Sequence, residues 1–459
     1  MSILPESVAR RCDFSSRVVV LLLAVCLPLT TSGFEIVLAV AAVAWLGSGS
    51  ITDRMSAVLR NRVAVLSLVL WGLFALGATF GSATAAEAWR GLMKYRELLC
   101  IPLLLSLFQK PDWERLEKIW DVAWLIRAYR RWDPSGVLWR RWGLMCLVAG
   151  TLVSVAGSYV EWIVGRDIGF QARNDNVVFM DRIVQNLLVV FVIYVLAYRA
   201  MESRRWWWAY AGTIGLAFFS LFALVPGRTG YLVLAALIGL LMWQRFKVRG
   251  LVVATAAVCL LAAGAYFASP MFRTRMQQTA VQARQYWSGT SNHDALSPNV
   301  EPRLKYYELT LRLIRRSPIV GHGTGGFERG YREFASPAGL PVPAEPHNEY
   351  LAIASQIGLI GLAVWLWMLL EQWKAAKRLP LPDQHFAQAL LLLMVVGCLA
   401  NSLLHSHTIG MTFAYLTALL FAGDGDPPAI QRATFDESHD VGPRTLGFIT
   451  TVDATCRAA

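Results

Sequence analysis

Apolar runs of about 15–22 residues recur along the chain, each closed by a short stretch rich in arginine, lysine or glycine. A helix of that length crosses about 30 Å of hydrocarbon, so each run predicts a membrane span. About twelve such windows occur. They lie near 15–31, 34–48, 63–80, 92–108, 142–162, 183–200, 206–225, 229–244 and 251–268, then near 348–370, 386–404 and 409–422. The pattern predicts an all-α polytopic membrane protein in four parts. Residues 1–268 form a bundle of about nine spans, 269–346 a large polar loop with helices of its own, and 347–422 a second group of about three spans. Residues 423–459, polar and containing Pro427 and Pro428, are expected to be a disordered tail.

Inside the loop, the pattern predicts a polar helix over Gln277–Trp287, irregular chain over Ser288–Val300, and a second helix opening at Glu301-Pro302-Arg303. In that second helix Leu304, Leu311 and Ile314 recur on one face beside Arg312, Arg315 and Arg316. This predicts an amphipathic helix on the membrane surface, ended by Ser317-Pro318. The tenth span opens at Pro346-His347-Asn348 and contains Gln356-Ile357-Gly358-Leu359-Ile360-Gly361.

Charge sets the orientation. Arg54, Arg60 and Arg62, the stretch Lys110–Arg141, Arg204 and Arg205, Arg245–Arg249 and Lys374–Arg378 all fall in connectors on one face. The positive-inside rule makes that face cytoplasmic, with both chain ends, and puts the 269–346 loop on the other side. The first apolar run follows Arg10, Arg11 and Arg17 much as a signal peptide would. It lacks a small-x-small cleavage pattern and is expected to stay as a span. Composition agrees: 56% hydrophobic, 16% charged, mean hydropathy +0.44. The net charge of +12 does not point to nucleic acid, because the basic residues punctuate apolar runs and form no soluble basic face. The seven cysteines include no C-x-x-C pair, so neither zinc nor a disulfide framework is expected.

Three residues near the loop side carry candidate chemistry. Arg228 sits in the turn Pro226-Gly227-Arg228-Thr229-Gly230, Arg303 opens the loop helix, and His347 opens the tenth span. An arginine at a helix N-terminus suits a phosphate, and the alternative is a side chain snorkelling to lipid headgroups. His347 reads as a general base or as an interfacial, helix-capping histidine. Gly321-His322-Gly323-Thr324-Gly325-Gly326 matches G-x-G-x-x-G by letter but follows a helix and a proline, so a tight loop flanked by packed Ile319 and Phe327 is expected in place of a nucleotide site. Lys94, Arg96 and Glu97 are expected to form an ion pair or a second anion site. Arg173, Asp175, Asp181 and Arg182 read as a solvated loop, His405 and His407 as interfacial histidines with no carboxylate nearby, and Trp206-Trp207-Trp208 as belt residues.

Gly227-Arg228-Thr229-Gly230, Arg303 through Pro318-Ile319-Val320-Gly321-His322-Gly323, and His347-Asn348-Glu349-Tyr350-Leu351 through Gly358-Leu359-Ile360-Gly361 together resemble the O-antigen ligase and polymerase superfamily of bacterial inner-membrane proteins. The resemblance implies a metal-independent, inverting glycosyltransferase without a cofactor, working at the periplasmic face. Its donor would be an O-antigen glycan on undecaprenyl diphosphate, its acceptor a hydroxyl of lipid A–core, with membrane lipid around it. By matching motifs, His347 takes the role of the base, and Arg228 and Arg303 that of binding the diphosphate. Lys94, Arg96, Arg182 and Asn348 are lesser candidates for substrate contacts. The compact loop favours a ligase. A polymerase or a protein O-oligosaccharyltransferase of the same superfamily is the nearer alternative, and a lipid-linked glycan transporter the more distant one, for which neither broken helices in repeated halves nor charge-lined pathways are seen.

Overall fold

The computed structural model describes residues 5–49, 51–119, 121–132, 137–166, 176–225, 227–287, 303–338 and 340–422. The expected disordered tail, the irregular stretch 288–300, Pro226, Arg173 and Asp175 lie outside the described residues.

The described residues are helical throughout, with no strand among them. In chain order the helices are α1 (Glu6–Cys26), α2 (Thr31–Gly47), α3 (Ile51–Arg60), α4 (Arg62–Gly77), α5 (Ala85–Met93), α6 (Glu97–Phe108), α7 (Trp113–Leu116), α8 (Ala123–Trp132), α9 (Val137–Val164) and α10 (Arg182–Glu202). They continue with α11 (Trp207–Phe219), which runs on as a π-turn over Ser220–Leu224, then α12 (Arg228–Phe246), α13 (Val248–Ala268), α14 (Pro270–Trp287), α15 (Arg303–Arg316), α16 (Phe327–Ala335), α17 (Glu349–Ala376), α18 (Asp383–Gly397) and α19 (His407–Phe421).

All twelve apolar windows fall on helices. Six helices among the described residues are long and apolar enough to cross a membrane, seven if the pair Arg54–Arg60 and Arg62–Gly77, bent by 88°, counts as one. Helices α2 and α19 are apolar but only 17 and 15 residues long. The shortfall arises where the apolar runs contain breaks, such as Pro102 within α6, so hydropathy alone overstates unbroken helix.

Burial follows the same logic. Helix α10 is enclosed by α9, α11, α12 and α18 and buries nearly every residue from Val184 to Leu196. Helix α13 leaves most of its apolar surface exposed, as a helix facing lipid does. At the end remote from the 269–346 loop, Arg17 and Arg54 are not solvated markers of orientation. Both are buried around Asp13, and Arg17 Nη1 also donates to the carbonyls of Leu107 (3.1 Å) and Gln109 (2.7 Å), which joins α1, α3 and α6. Trp206, Trp207 and Trp208 are exposed at a bundle end, as belt residues would be.

Helix α17 departs from expectation. Composition suggests one straight helix, yet Ile357 (φ −121°, ψ 19°) and Gly358 (φ 69°, ψ −170°) leave helical space. The second of these conformations is open to glycine almost alone. In an apolar surround each freed backbone group needs a partner. The loop after α15 supplies them: Leu359 N–H donates to Pro318 O at 2.8 Å and Ile360 N–H to Ile319 O at 3.4 Å. In return His322 N–H donates to Ser355 O and Gly323 N–H to Gln356 O, both at 2.9 Å. Thr324 continues the seam to α4, its N–H donating to Gly77 O at 2.9 Å and its hydroxyl to Phe74 O at 2.6 Å. The two glycine-rich motifs are therefore one structure, in which the loop plugs a break in the span. Of the two expected flanking contacts, Phe327 is buried but Ile319 is exposed.

Helix α15 also has an apolar face toward protein. Leu304 and Leu311 are exposed, while Tyr306, Leu309, Thr310, Leu313 and Ile314 are buried. The helix lays that i, i+3, i+7 stripe on Tyr331 and Phe327 of α16 and packs on α17, so protein contacts choose the buried face.

Candidate functional site

His347 stands immediately before α17, with Asn348 as the N-cap: Asn348 Oδ1 accepts from Leu351 N–H at 3.1 Å. Its φ of +54° lies in the left-handed region, which costs a non-glycine residue about 1–2 kcal/mol. Surrounding contacts hold it there. Tyr307 Oη lies 3.1 Å from both His347 O and Leu399 O, and the imidazole stacks on the Tyr306 ring at 6.1 Å. Strain of this kind, enforced by the surroundings, is characteristic of functional positions.

The imidazole faces a carboxylate. His347 Nδ1 is 3.5 Å from Glu345 Oε1, and Glu345 Oε2 is 4.0 Å from His405 Nδ1. His405 in turn is 3.8 Å from Glu349 Oε1, within 3.3 Å of the Tyr95 hydroxyl, and mostly buried. The expectation that His405 has no carboxylate nearby is therefore overturned, because two lie against it. Glu349 is fully buried; its Oε1 accepts from Tyr95 Oη at 3.3 Å and its Oε2 from Leu404 N–H at 2.8 Å. Gln356, the residue immediately before the α17 break, donates to Tyr95 Oη at 3.1 Å and accepts from Gly325 N–H at 3.0 Å. This polar chain ties the opening of α17 to its break.

One short segment, 398–404 between α18 and α19, gathers the candidate residues. Arg303 Nη1 donates to Ala400 O at 2.8 Å, Asn348 Nδ2 to Leu399 O at 3.0 Å, and Glu349 N–H to Cys398 O at 2.9 Å. Asn401 Nδ2 donates to the hydroxyl of Thr229, next to Arg228. Arg228 itself opens α12 and reaches across to Thr279 Oγ1 of α14 at 3.3 Å. Gly227 beside it packs closely on Asn186 of α10, whose Nδ2 would stand 2.3 Å from an added Cβ and would have to shift. Arg303 and the sequence neighbours of Arg228 and His347, namely Thr229, Asn348 and Glu349, thus meet on 398–404, a stretch that hydropathy had placed at the end of a span.

The lesser candidates divide. Asn348 belongs to this site, as cap and as a contact of 398–404. Lys94 is exposed at the C-cap of α5, and Arg182 occupies the first position of α10. Arg96 forms no pair with Glu97. It binds Glu35 of α2, as does His407, whose Nε2 lies 2.5 Å from the same oxygen. His407 is therefore also carboxylate-bound, against expectation. Glu97 is instead buried against Gly410 of α19. The loop is also tied to the bundle: Arg329 of α16 meets Glu87 at 2.8 Å, and the Thr84 backbone and hydroxyl, then Arg329, hold the Glu87 carboxyl down to about 2. Sequence reading missed Glu345, Tyr95, Tyr307 and Asn401. Glu345, two residues before His347, was the one with a usable signal.

A many-helix bundle of this kind, with apolar spans and a cluster of His, Glu and Arg at one end, defines a membrane-embedded protein with a polar site at the end of its bundle. Residues 221–366 match the family model described as O-antigen ligase, which shows the resemblance to the O-antigen ligase superfamily. No curated protein matches the chain. The matched stretch contains Arg228, Arg303 and His347, together with both halves of the α17 seam. The match covers about a third of the chain, so the likeness is one of that stretch.

Proposed function

We propose that the chain is an O-antigen ligase that moves glycan from undecaprenyl diphosphate to a hydroxyl of lipid A–core at the periplasmic face of the inner membrane. The observation that supports this reading is that Arg303, the neighbour of His347 (Asn348) and the neighbour of Arg228 (Thr229) all bond to the single segment 398–404.

In this mechanism neutral His347 takes the proton from the acceptor hydroxyl. Glu345 beside Nδ1 holds the ring in the tautomer whose Nε2 is the accepting nitrogen, and it stabilises the imidazolium that forms. The 3.5 Å separation is long for a hydrogen bond, as such contacts often are before substrate tightens them. The deprotonated oxygen attacks the anomeric carbon as its bond to the diphosphate breaks, inverting the centre. Charge grows on the departing diphosphate, and preplaced guanidinium groups of Arg228 and Arg303 lower the barrier by meeting it there. His347 and the arginines so divide the work between the two faces of the reacting carbon.

Arg303→Lys keeps a donor for Ala400 O but loses the planar fork that grips two phosphate oxygens. We expect kcat/KM for the donor to fall about tenfold to a hundredfold, and Arg303→Ala to cost about a hundredfold to a thousandfold. Steady-state transfer with purified components checks this, and an unimpaired alanine variant would make Arg303 merely a structural anchor of 398–404.

The reading as a whole is tested by giving the purified protein a lipid-linked glycan and, separately, lipid A–core, a second lipid-linked repeat, and a protein bearing exposed hydroxyls. Glycan is expected on lipid A–core. Transfer to one of the other two acceptors instead would replace ligase by polymerase or protein oligosaccharyltransferase.

A further inference from the structure

A cavity of about 740 Å³ opens between the α1–α2 turn, the start of α10 and the start of α19. Its walls include Thr30, Ser32, Phe179, Asp181, Ser406 and His407. The volume suits a small-molecule or oligosaccharide ligand. None of the lining belongs to the site around His347, yet the two are adjacent along the chain. His405 contacts Glu345 and Glu349, while Ser406 and His407, the next two residues, line the cavity.

The wall chemistry discriminates among ligands. Hydroxyls of Thr30, Ser32 and Ser406 both donate and accept, and the Asp181 carboxylate accepts. The basic groups at the border, Arg96 and His407, are both engaged by Glu35. A phosphate would meet the Asp181 carboxylate, with the imidazole of the lining His407 already held by Glu35. A neutral polyhydroxylated ligand can instead donate to the carboxylate, exchange hydrogen bonds with the hydroxyls, and lay its C–H face on Phe179.

We propose that this cavity binds the sugar portion of the acceptor and delivers its hydroxyl across the 405–407 stretch to His347. The proposal rests on the glycosyl-transfer reading above and adds to it a second, carbohydrate-specific subsite remote from the diphosphate arginines.

The test uses the full-length protein in lipid nanodiscs and, as probe, core oligosaccharide released from lipid A. Binding is measured by calorimetry for wild type, Ser32→Trp, which fills the cavity, and Asp181→Asn. Asparagine caps a helix as well as aspartate, so the second variant removes charge while keeping the start of α10. Both variants are expected to weaken binding of the oligosaccharide about tenfold or more, with the KM for the lipid-linked donor changed less than about twofold. Unchanged binding in both variants, or a wild-type protein that does not bind the oligosaccharide, overturns the proposal. If wild type glycosylates lipid A–core while both variants bind normally, the cavity assignment fails and the ligase reading stands. If binding is variant-sensitive but glycan goes to another acceptor, the ligase reading fails and with it the assignment of the cavity to the acceptor.

Discussion

His347→Asn is expected to lower glycan transfer by about 10²–10⁴-fold while the protein inserts, melts and binds lipid-linked donor as wild type does. Asparagine is the informative replacement because residue 347 has φ +54°, a conformation that asparagine tolerates better than alanine does. The imidazole is lost, but the backbone that presents it is kept. His347→Ala should be equally inactive and slightly less stable, since it retains the strain without asparagine's tolerance of it. The partner variant is Glu345→Gln. With the carboxylate gone, Nδ1 loses the acceptor that sets its tautomer, and transfer should fall less far, about tenfold to a hundredfold, with aspartate restoring part of it. Single-turnover transfer with saturating donor reads the chemical step directly. Near-normal transfer by His347→Asn would return His347 to a capping role and remove the base from the mechanism.

Gly358→Ala is expected to do more damage than any other single change considered, although it touches no substrate. A Cβ at residue 358 would lie 2.0 Å from Ile319 O and 2.2 Å from its carbonyl carbon, and both are backbone atoms that cannot step aside. The conformation itself (φ 69°, ψ −170°) costs an alanine about 1–3 kcal/mol before any clash is counted. Relief requires separating α17 from the 318–325 loop, which breaks the paired hydrogen bonds of the seam and moves Gln356, hence Tyr95 and Glu349, at the base of the site. The variant should accumulate poorly, melt well below wild type and transfer no measurable glycan. Gly212→Ala is the control: it lies in α11 with no atom within 4 Å of an added Cβ, and should be neutral or slightly stabilising. Thermal melting of the purified proteins decides the matter. A Gly358→Ala protein that melts and works like wild type would show that the seam is not needed.

Much of this site was legible from local pattern. Arg303 is found at a helix N-terminus, as Pro302 before it predicts, Arg228 is the first residue of α12 where a turn between spans was expected, and Asn348 caps α17 as its residue type suggests. What local pattern missed has one cause. Hydropathy averages over a window, so it reads 348–370 as continuous and cannot register two residues of non-helical backbone at Ile357 and Gly358. Spacing likewise picked out Leu304, Leu311 and Ile314 on α15, but the stripe that meets protein is a different one, selected by contact with α16 and α17. Arg96 illustrates the problem for charge: its sequence neighbour Glu97 was the obvious partner, and Glu35, far away in the chain, is the actual one.

The sequence by itself determined the class of protein and the order of its apolar helices, and it carries the motifs in which Arg228, Arg303 and His347 lie. These follow from hydrophobic length, capping residues and short motifs, all of which act over a few turns of chain. The tertiary structure alone decided that Pro318–Gly325 plugs the break in α17, that Glu345 stands between His347 and His405, and that 398–404 gathers Arg303, Asn348 and Thr229. Each of these is a hydrogen bond or contact between segments distant in the chain. Such pairings arise because polar groups carried into an apolar bundle must find partners there, and which partner is within reach is a property of the packed helices.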